Sequence, residues 1–252
     1  MARVAVVTDS TADLPAALRD AAGIAVVPIE VGFGDRTYRD GEDLPADAFL
    51  RHLAAAKTPP TTAPPTPDRF AALFRRLAAD HAGVVAACLS GKLSGTVRSA
   101  LAAADAVRER VPVEVVDSRA ATMALGFQAL RAAGLAAGGL DAPAIAARLR
   151  AETDPPHPLF MVDSLDHLQR GGRVGRAAAL IGGALQLKPL LRVDEGQVVP
   201  FERTRTRARA VDELVAFVAG LPRVERLAAL SSSDPAAAET LADRLAAASG
   251  FP

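Results

Sequence analysis

The sequence predicts an α/β protein of two domains, and three observations support this prediction. In the first part of the chain, short apolar runs alternate with helix-forming stretches, which indicates a mainly parallel sheet with helices on both faces. The composition shifts at residues 138–158, where a proline-rich stretch marks a domain boundary. The second part carries a hairpin signal, which favours an α+β layered domain. We therefore expect an N-terminal domain over residues 1–155 and a C-terminal domain over residues 156–252.

Each predicted strand of the first domain is a short apolar run that ends at a turn or cap signal. The first helix is indicated by Pro15 in its first turn and Gly23 at its end. The expected strands are residues 5–8, 24–31, 33–38 (an edge segment that ends at a turn), 84–89 and 113–116. The expected helices are residues 13–23, 45–56, 68–81, one that ends at residue 110, one that follows residue 118, and 142–151.

Between two of these helices, residues 57–67 read KTPPTTAPPTP. Because proline lacks an N–H group and fixes φ, this stretch cannot be a helix or a central strand. We expect a stiff, extended surface loop that carries the hydroxyls of Thr61 and Thr62.

In the second domain, a turn signal at Asp194-Glu195-Gly196 predicts a hairpin of residues 187–193 and 197–201. Further strands are expected at residues 159–162 and 227–230. Residues 206–220 and the alanine-rich end of the chain predict helices.

The composition excludes several classes of protein. The 252 residues include 29 basic and 29 acidic side chains, so no overall field attracts nucleic acid or an acidic membrane. The chain has no Trp and a single tyrosine, Tyr38, which disfavours a stacking platform for nucleic acid. No apolar stretch is long enough to span a bilayer, and the lone Cys88 lies in an apolar strand, so we expect a cytoplasmic protein without disulfides.

Residues 84–100, VVAACLSGKLSGTVRSA, are the most informative stretch for function. A predicted strand leads into a loop rich in serine and glycine, and a helix begins directly after this loop. Hydroxyls donate hydrogen bonds, and a helix N-terminus favours negative charge. The sequence therefore predicts a site for an acid head group here.

Polar residues also follow two other predicted strands, at Thr8-Asp9-Ser10 and at Asp117-Ser118. Since the carboxyl ends of parallel strands meet at one edge of a sheet, we expect a rim of hydrogen-bond donors. The alternative is that Ser10, Ser94 and Ser118 only cap helices, although capping does not require the three to lie together.

Seven motifs in order resemble the DegV family over most of the chain. They are TDSTADLP (residues 8–15), FGDRTYRDGED (33–43), the threonine-proline loop, LSGKLSGTVRSA (89–100), VDSRAATMALG (116–126), LDHLQRGGRVG (165–175) and LKPLL (187–191). The resemblance implies a two-domain α/β fold that binds one long-chain fatty acid in a tunnel between the domains. It also implies that the acid is presented to a separate fatty-acid kinase, which phosphorylates the carboxylate. We expect no cofactor.

The resemblance places Thr62 and Ser94 on the family's head-group threonine and serine. The weaker candidates for the ligand site are Thr61, Gly95, Thr96, Ser10, Ser118, Arg170 and Arg173. The acyl chain needs only apolar walls, for which the candidates are Met123, Phe127, Phe160, Met161, Ile181, Leu185 and Leu187.

This sequence departs from the family pattern at several positions. Ala63 follows Thr62 where the family commonly has serine, Gly91 follows Ser90 where a serine pair is common, and Ser231 stands where histidine is often found. The family's closing H-x-G-P-G-like turn is not found before Pro252. Either the sequence is incomplete at this end or the head-group site is simpler.

A basic region follows in the second domain. Its members are Arg170, Arg173, Arg176, Lys188, Arg192, Arg203, Arg205, Arg207 and Arg209. One interpretation is a set of solvated faces and helix ends. The other is a docking surface for an acidic partner such as the kinase, or for anionic lipid head groups.

The alternative function is an enzyme that acts on a small acid, acyl or phosphate substrate at the same serine and threonine rim. However, the sequence lacks a G-x-S-x-G motif, a P-loop and any His/Cys spacing for zinc. Asp9, Asp13 and Asp117 form a weak candidate for a metal cluster, and Asp163, Ser164, Asp166 and His167 are more typical of helix capping than of a triad. We therefore predict a lipid-binding carrier without catalytic or metal-ligating residues.

Overall fold

The computed structural model describes residues 4–152, 156–181, 187–232 and 234–251. The chain forms two compact units, one of Met1–Pro158 with Val193–Gln197 and one of Leu159–Arg192 with Val198–Pro252. The predicted boundary at residue 155 lies outside the described residues.

The strands are numbered along the chain. They are β1 (Val4–Asp9), β2 (Ile24–Val27), β3 (Glu30–Phe33), β4 (Arg36–Arg39), β5 (Thr61–Ala63), β6 (Gly83–Cys88), β7 (Val113–Asp117), β8 (Leu159–Met161), β9 (Lys188–Asp194) and β10 (Gln197–Thr204). The helices are α1 (Ala16–Ala21), α2 (Ala46–Ala55), α3 (Pro67–Leu77), α4 (Thr96–Val107), α5 (Met123–Ala137), α6 (Ala142–Arg150), α7 (Asp166–Arg170), α8 (Arg207–Ala219) and α9 (Pro235–Ser249).

The first unit is built on a parallel sheet in the order β2-β1-β6-β7. Every residue of β6 is buried, which explains its continuous apolar sequence. On one face, Val84 and Ala86 pack with Phe70 and Phe74 of α3 and with the alanines of α4. On the other face, Val85 packs in a cluster with α5 and α6. The predicted parallel sheet with helices on both faces is confirmed.

A second, antiparallel sheet of the first unit has the order β4-β3-β5. Here two expectations were wrong. Residues 24–31 are not one strand, because Pro28 lacks an N–H group and separates β2 of the parallel sheet from β3 of the antiparallel one. Residues 33–38 are not one edge segment, because Gly34, at a positive φ of 58°, turns the chain between β3 and β4.

The proline-rich stretch 57–67 is largely extended and exposed, as expected, although Pro65 is buried and Pro67 begins α3. Part of the stretch is a strand. Residues Thr61–Ala63 pair with Glu30–Gly32 at the edge of the antiparallel sheet. Prolines on both sides limit this strand to three residues, since proline is tolerated only at edges and strand ends.

The second unit contains an antiparallel sheet in the order β10-β9-β8, which confirms the predicted hairpin. Helices α8 and α9 follow the sheet, and the short helix α7 precedes it. The strand expected at residues 227–230 is wrong, because this segment is irregular. It lacks β-branched residues, and Leu230 is exposed rather than packed in a sheet. Within the described residues, no helix is both long and apolar enough to cross a membrane.

Candidate functional site

The ends of three parallel strands form the floor of the candidate site. Because β1, β6 and β7 are neighbours in the sheet, their carboxyl ends lie at one edge, as the sequence predicts. Asp9 at the end of β1 accepts a hydrogen bond from the Leu89 amide at 2.7 Å. Asp117 at the end of β7 accepts one from the Gly91 amide at 3.2 Å. The two carboxylates thus hold the loop that follows β6 from both sides.

Asp9 is fully buried and also accepts hydrogen bonds from the amide and the hydroxyl of Thr11. Burial raises the pKa of the Asp9 carboxyl, although these hydrogen bonds oppose the shift. Burial also raises the pKa of the neighbouring Cys88 thiol well above its ordinary value, and the charges of Asp9 and Asp117 add to this effect. Cys88 is therefore a packed core residue and not a reactive thiolate.

The loop after β6 presents Ser94 at the start of α4. The Ser90 carbonyl accepts hydrogen bonds from the amides of Leu93 at 2.9 Å and Ser94 at 3.0 Å, which closes a tight turn. The hydroxyls of Ser94 and Thr96 lie 2.9 Å apart, and the Ser94 hydroxyl accepts a hydrogen bond from the Thr96 amide at 3.3 Å. Thr96 is buried and Ser94 is half-buried, so Ser94 is the accessible member of this hydroxyl pair.

Positive charge lies close to this hydroxyl pair. The first turn of a helix leaves amide groups without intrahelical partners and has a positive partial charge. The Arg98 guanidinium folds back over Gly95, since a Cβ atom built on Gly95 would lie 3.3 Å from Arg98 Nη2. Among the described residues, neither Arg98 nor Lys92 forms an ion pair. The segment is therefore suited to an anionic group.

The threonine strand β5 lies beside this segment. A Cβ atom on Gly95 would lie 3.4 Å from Pro64 Cγ, so the residue directly after β5 contacts the start of α4. Thr61 and Thr62 are exposed, and Thr62 pairs with Val31 of β3. The structure thus brings the Thr61–Ala63 strand and the Ser94–Thr96 segment together, although they are far apart in the sequence.

The other serines of the predicted rim are engaged by backbone groups. The Ser10 hydroxyl accepts a hydrogen bond from the Ile29 amide at 3.1 Å. The buried Ser118 hydroxyl donates to the Ala120 carbonyl and accepts from the Ala120 amide. Both serines stabilise loops at the strand ends, and neither caps a helix. Their part in ligand binding stays a prediction.

Arg170 and Arg173 belong to the second unit. Arg170 is the last residue of α7 and is exposed, and the Arg173 guanidinium donates to the Gly171 carbonyl. Among the residues proposed as tunnel walls, Met123 is buried, Phe160 and Met161 are half-buried in β8, and Ile181 is exposed. Leu185 lies outside the described residues. These roles also stay predictions.

Ser164, predicted to cap a helix, accepts a hydrogen bond from the Asp166 amide at the start of α7, at 3.2 Å. In the part of the chain that is described, no group of three or more His, Cys, Asp or Glu residues is placed to hold a metal ion. Asp9 and Asp117 bind backbone amides instead.

Sequence comparison identifies the family. The model of the DegV family, described as uncharacterised proteins, matches residues 3–250. The chain belongs to the DegV family. A DegV domain-containing protein of Streptomyces coelicolor is 44% identical over 249 residues, which are 96% of this chain and 86% of that protein.

DegV proteins of known structure have the same fold. DegV of Bacillus subtilis, a fatty acid binding protein, matches with a TM-score of 0.88 and 35% identity over 98% of this chain and 89% of that one. A DegV family protein of Thermus thermophilus, whose structure is described for its fatty acid binding, matches with a TM-score of 0.77 and 38% identity over 88% and 80% of the two chains.

Proposed function

We propose that this DegV protein binds one long-chain fatty acid and holds its carboxylate with the hydroxyls of Thr62 and Ser94. The observation that carries the proposal is the close approach of Pro64, which directly follows β5, to Gly95 at the start of α4. This approach brings both hydroxyl-bearing segments near one helix N-terminus. Its relatives from Bacillus subtilis and Thermus thermophilus, both above 30% identity, are described as fatty acid binding proteins.

The chemistry of the site fits a carboxylate. An anion that leaves water needs hydrogen-bond donors, and a hydroxyl donates without adding a permanent charge that must itself be solvated. Ser94 is already fixed by its bonds to Thr96, so little side-chain entropy is lost when it binds. Thr61, Gly95 and Thr96 complete the surroundings of the head group.

The acyl chain supplies most of the binding free energy. Burial of each methylene is worth about 0.8 kcal/mol, so about sixteen carbons contribute on the order of 10 kcal/mol before the costs of association are subtracted. The family resemblance implies that the acyl chain lies in a tunnel between the domains, and this placement is part of the proposal.

Binding without turnover is also part of the proposal. Within the described residues, the Ser94 hydroxyl is bonded to Thr96, and no histidine or carboxylate activates it as a nucleophile. We therefore expect the protein to act as a cytoplasmic carrier and not as a hydrolase.

Two alanine variants test the head-group assignment. Each of Thr62→Ala and Ser94→Ala removes a donor to the carboxylate and should cost about 1 to 3 kcal/mol of binding free energy in a fluorescent fatty-acid titration. Ser99→Ala, one turn further along α4, and Thr37→Ala, on exposed β4, are the matched controls and should keep the affinity. If the double variant binds as tightly as the wild type, the assignment is wrong.

We further propose that the basic region docks the fatty-acid kinase. Lys188 pairs with Asp163 and Arg209 with Glu213. Within the described chain, the exposed members of the region that have no ion pair are Arg170, Arg176, Arg203, Arg205 and Arg207. Unpaired cations at a surface favour the association of an acidic partner.

Charge reversal tests this docking surface. Arg203→Glu combined with Arg205→Glu should lower the rate at which the kinase of the source organism converts bound fatty acid and ATP to acyl phosphate and ADP. Fatty-acid affinity should stay unchanged. Arg110→Glu combined with Arg148→Glu changes the net charge equally on the first unit and serves as the control. Equal rates for both pairs would contradict the proposal.

A further inference from the structure

The turn at residues 194–196 contacts the loop that carries Ser94. Residues Val193–Gln197 group with the first unit. There the hydroxyl of Ser90, which is fully buried, donates a hydrogen bond to the Gly196 carbonyl at 2.8 Å. The same hydroxyl accepts a hydrogen bond from the Lys92 amide at 3.2 Å. A single buried side chain therefore joins the turn to the loop.

The contact is specific for glycine at position 196. Gly196 has a positive φ of 77°, and a Cβ atom there would lie 2.4 Å from Ser90 Oγ and 3.4 Å from the backbone of Arg119. The neighbouring Glu195 forms an ion pair of 3.3 Å with Arg119. Any side chain at position 196 must therefore displace Ser90 or move the turn.

Ser90 is connected directly to Ser94. Its carbonyl accepts the amide of Ser94 at 3.0 Å, and its own amide donates to the Ala120 carbonyl at 3.0 Å. A displacement of Ser90 therefore moves the backbone of Ser94 and changes the direction of its hydroxyl. Hydrogen bonds to a carboxylate weaken steeply with distance and angle.

We propose that Ser90 and Gly196 are positioning residues, through which the turn at 194–196 sets the geometry of the Ser94 hydroxyl for the carboxylate. This inference rests on the proposed fatty-acid function. It assigns no contact between either residue and the ligand, so both act through Ser94 alone.

Three variants test the inference: Gly196→Ala, Ser90→Ala and the matched control Gly139→Ala. Gly139 also has a positive φ, of 89°, but a Cβ atom there meets nothing within 4 Å, so the control reproduces the backbone strain without the clash. Palmitate affinity is measured for each variant alone and in the Ser94→Ala background. The ¹³C chemical shift of the carboxyl of bound [1-¹³C]palmitate reports its hydrogen bonds.

The expected result is a loss of affinity of about three- to tenfold for Gly196→Ala and for Ser90→Ala, with none for Gly139→Ala. In the Ser94→Ala background, the first two substitutions should cause no further loss, whereas a general loss of stability would add to it. The carboxyl shift of both variants should move toward that of Ser94→Ala.

Additive losses, or unchanged affinity and carboxyl shift, would overturn the inference. Ser90→Ala introduces no clash, so it keeps the test decisive if Gly196→Ala does not fold. Wild-type protein that binds no palmitate would overturn the proposed function, and the inference with it. Binding that depends on Ser94 but not on Gly196 or Ser90 would overturn the inference alone.

Discussion

At the residue scale, carboxylates that bind backbone amides shape the loop that follows β6 and carries Ser94. Asp9 and Asp117 are each the last residue of a strand, and the sequence made them only weak candidates for a metal. Their partners, the amides of Leu89 and Gly91, both belong to the loop that follows β6. Sequence spacing does not reveal such long-range pairs, whereas the hydroxyls at Ser94 and Thr62 were predicted from local motifs and the family resemblance.

The contact of Arg98 with the start of α4 could not be predicted from the sequence either. A single arginine in a helix gives no indication that its side chain folds back over Gly95. We predict that Arg98→Gln lowers the affinity for a fatty acid by at most about fivefold at low salt, since exposed charges interact weakly. The loss should shrink as salt is added. A titration at two ionic strengths measures this effect, and an equal loss for a fatty-acid methyl ester would show that charge is not the cause.

Asp13 offers a prediction on pH. The pKa of the Asp13 carboxyl is raised to about 6. The main cause is desolvation by the surrounding protein, although the residue as a whole is exposed, and the negative charges of Asp40 and Asp9 raise the pKa further. Between pH 4 and this value the folded state binds more protons than the unfolded state, so this group lowers stability as the pH rises. Asp13 has a positive φ of 49°, which asparagine also tolerates.

Asp13→Asn should therefore match the wild type in stability near pH 4 and exceed it above pH 6. Urea unfolding of both proteins at pH 4.5 and 7.5 measures the difference. The same stability difference at both pH values would contradict the assigned titration.

At the scale of elements, the strands that were predicted correctly are those with continuous apolar runs, such as β6. The errors arose where tertiary pairing decides the structure. Pro28 separates two strands that lie in different sheets, and Thr61–Ala63 becomes a strand only because β3 lies beside it. The apolar segment at residues 227–230 pairs with none of the described strands and is irregular.

Helix α5 contains two glycines with opposite roles. Gly126 packs tightly, since a Cβ atom there would lie 2.8 Å from the Ala12 carbonyl oxygen, whereas a Cβ atom on the exposed Gly134 meets nothing within 4 Å. We predict that Gly134→Ala raises the free energy of unfolding by about 1 kcal/mol through helix propensity. Gly126→Ala should lower it by about 1 to 3 kcal/mol through overpacking.

Urea unfolding of the two variants checks this pair, with the Gly134→Ala protein also serving as a binding control that keeps wild-type affinity. Destabilisation by both substitutions would show that α5 does not tolerate alanine at its exposed face either.

At the scale of the whole molecule, the numbers of acidic and basic residues are equal. The charge is nevertheless distributed unevenly, because basic residues predominate in the region from Arg170 to Arg209. The order of strands and helices predicted a parallel first domain and a layered second one, and the structure and the family membership confirm both. Composition and periodicity do not indicate a ligand, because the apolar walls that an acyl chain requires look like ordinary core. The family motifs and the loop that carries Ser94 are the basis of the proposed fatty-acid ligand.

Above all, we propose that this chain carries a fatty acid. Native mass spectrometry of the purified protein, followed by denaturation and identification of the released molecule, tests it most directly. We predict one fatty acid per chain in the wild type, and a lower occupancy in the Thr62→Ala/Ser94→Ala double variant. Protein that is empty as purified and takes up no added fatty acid would contradict the claim.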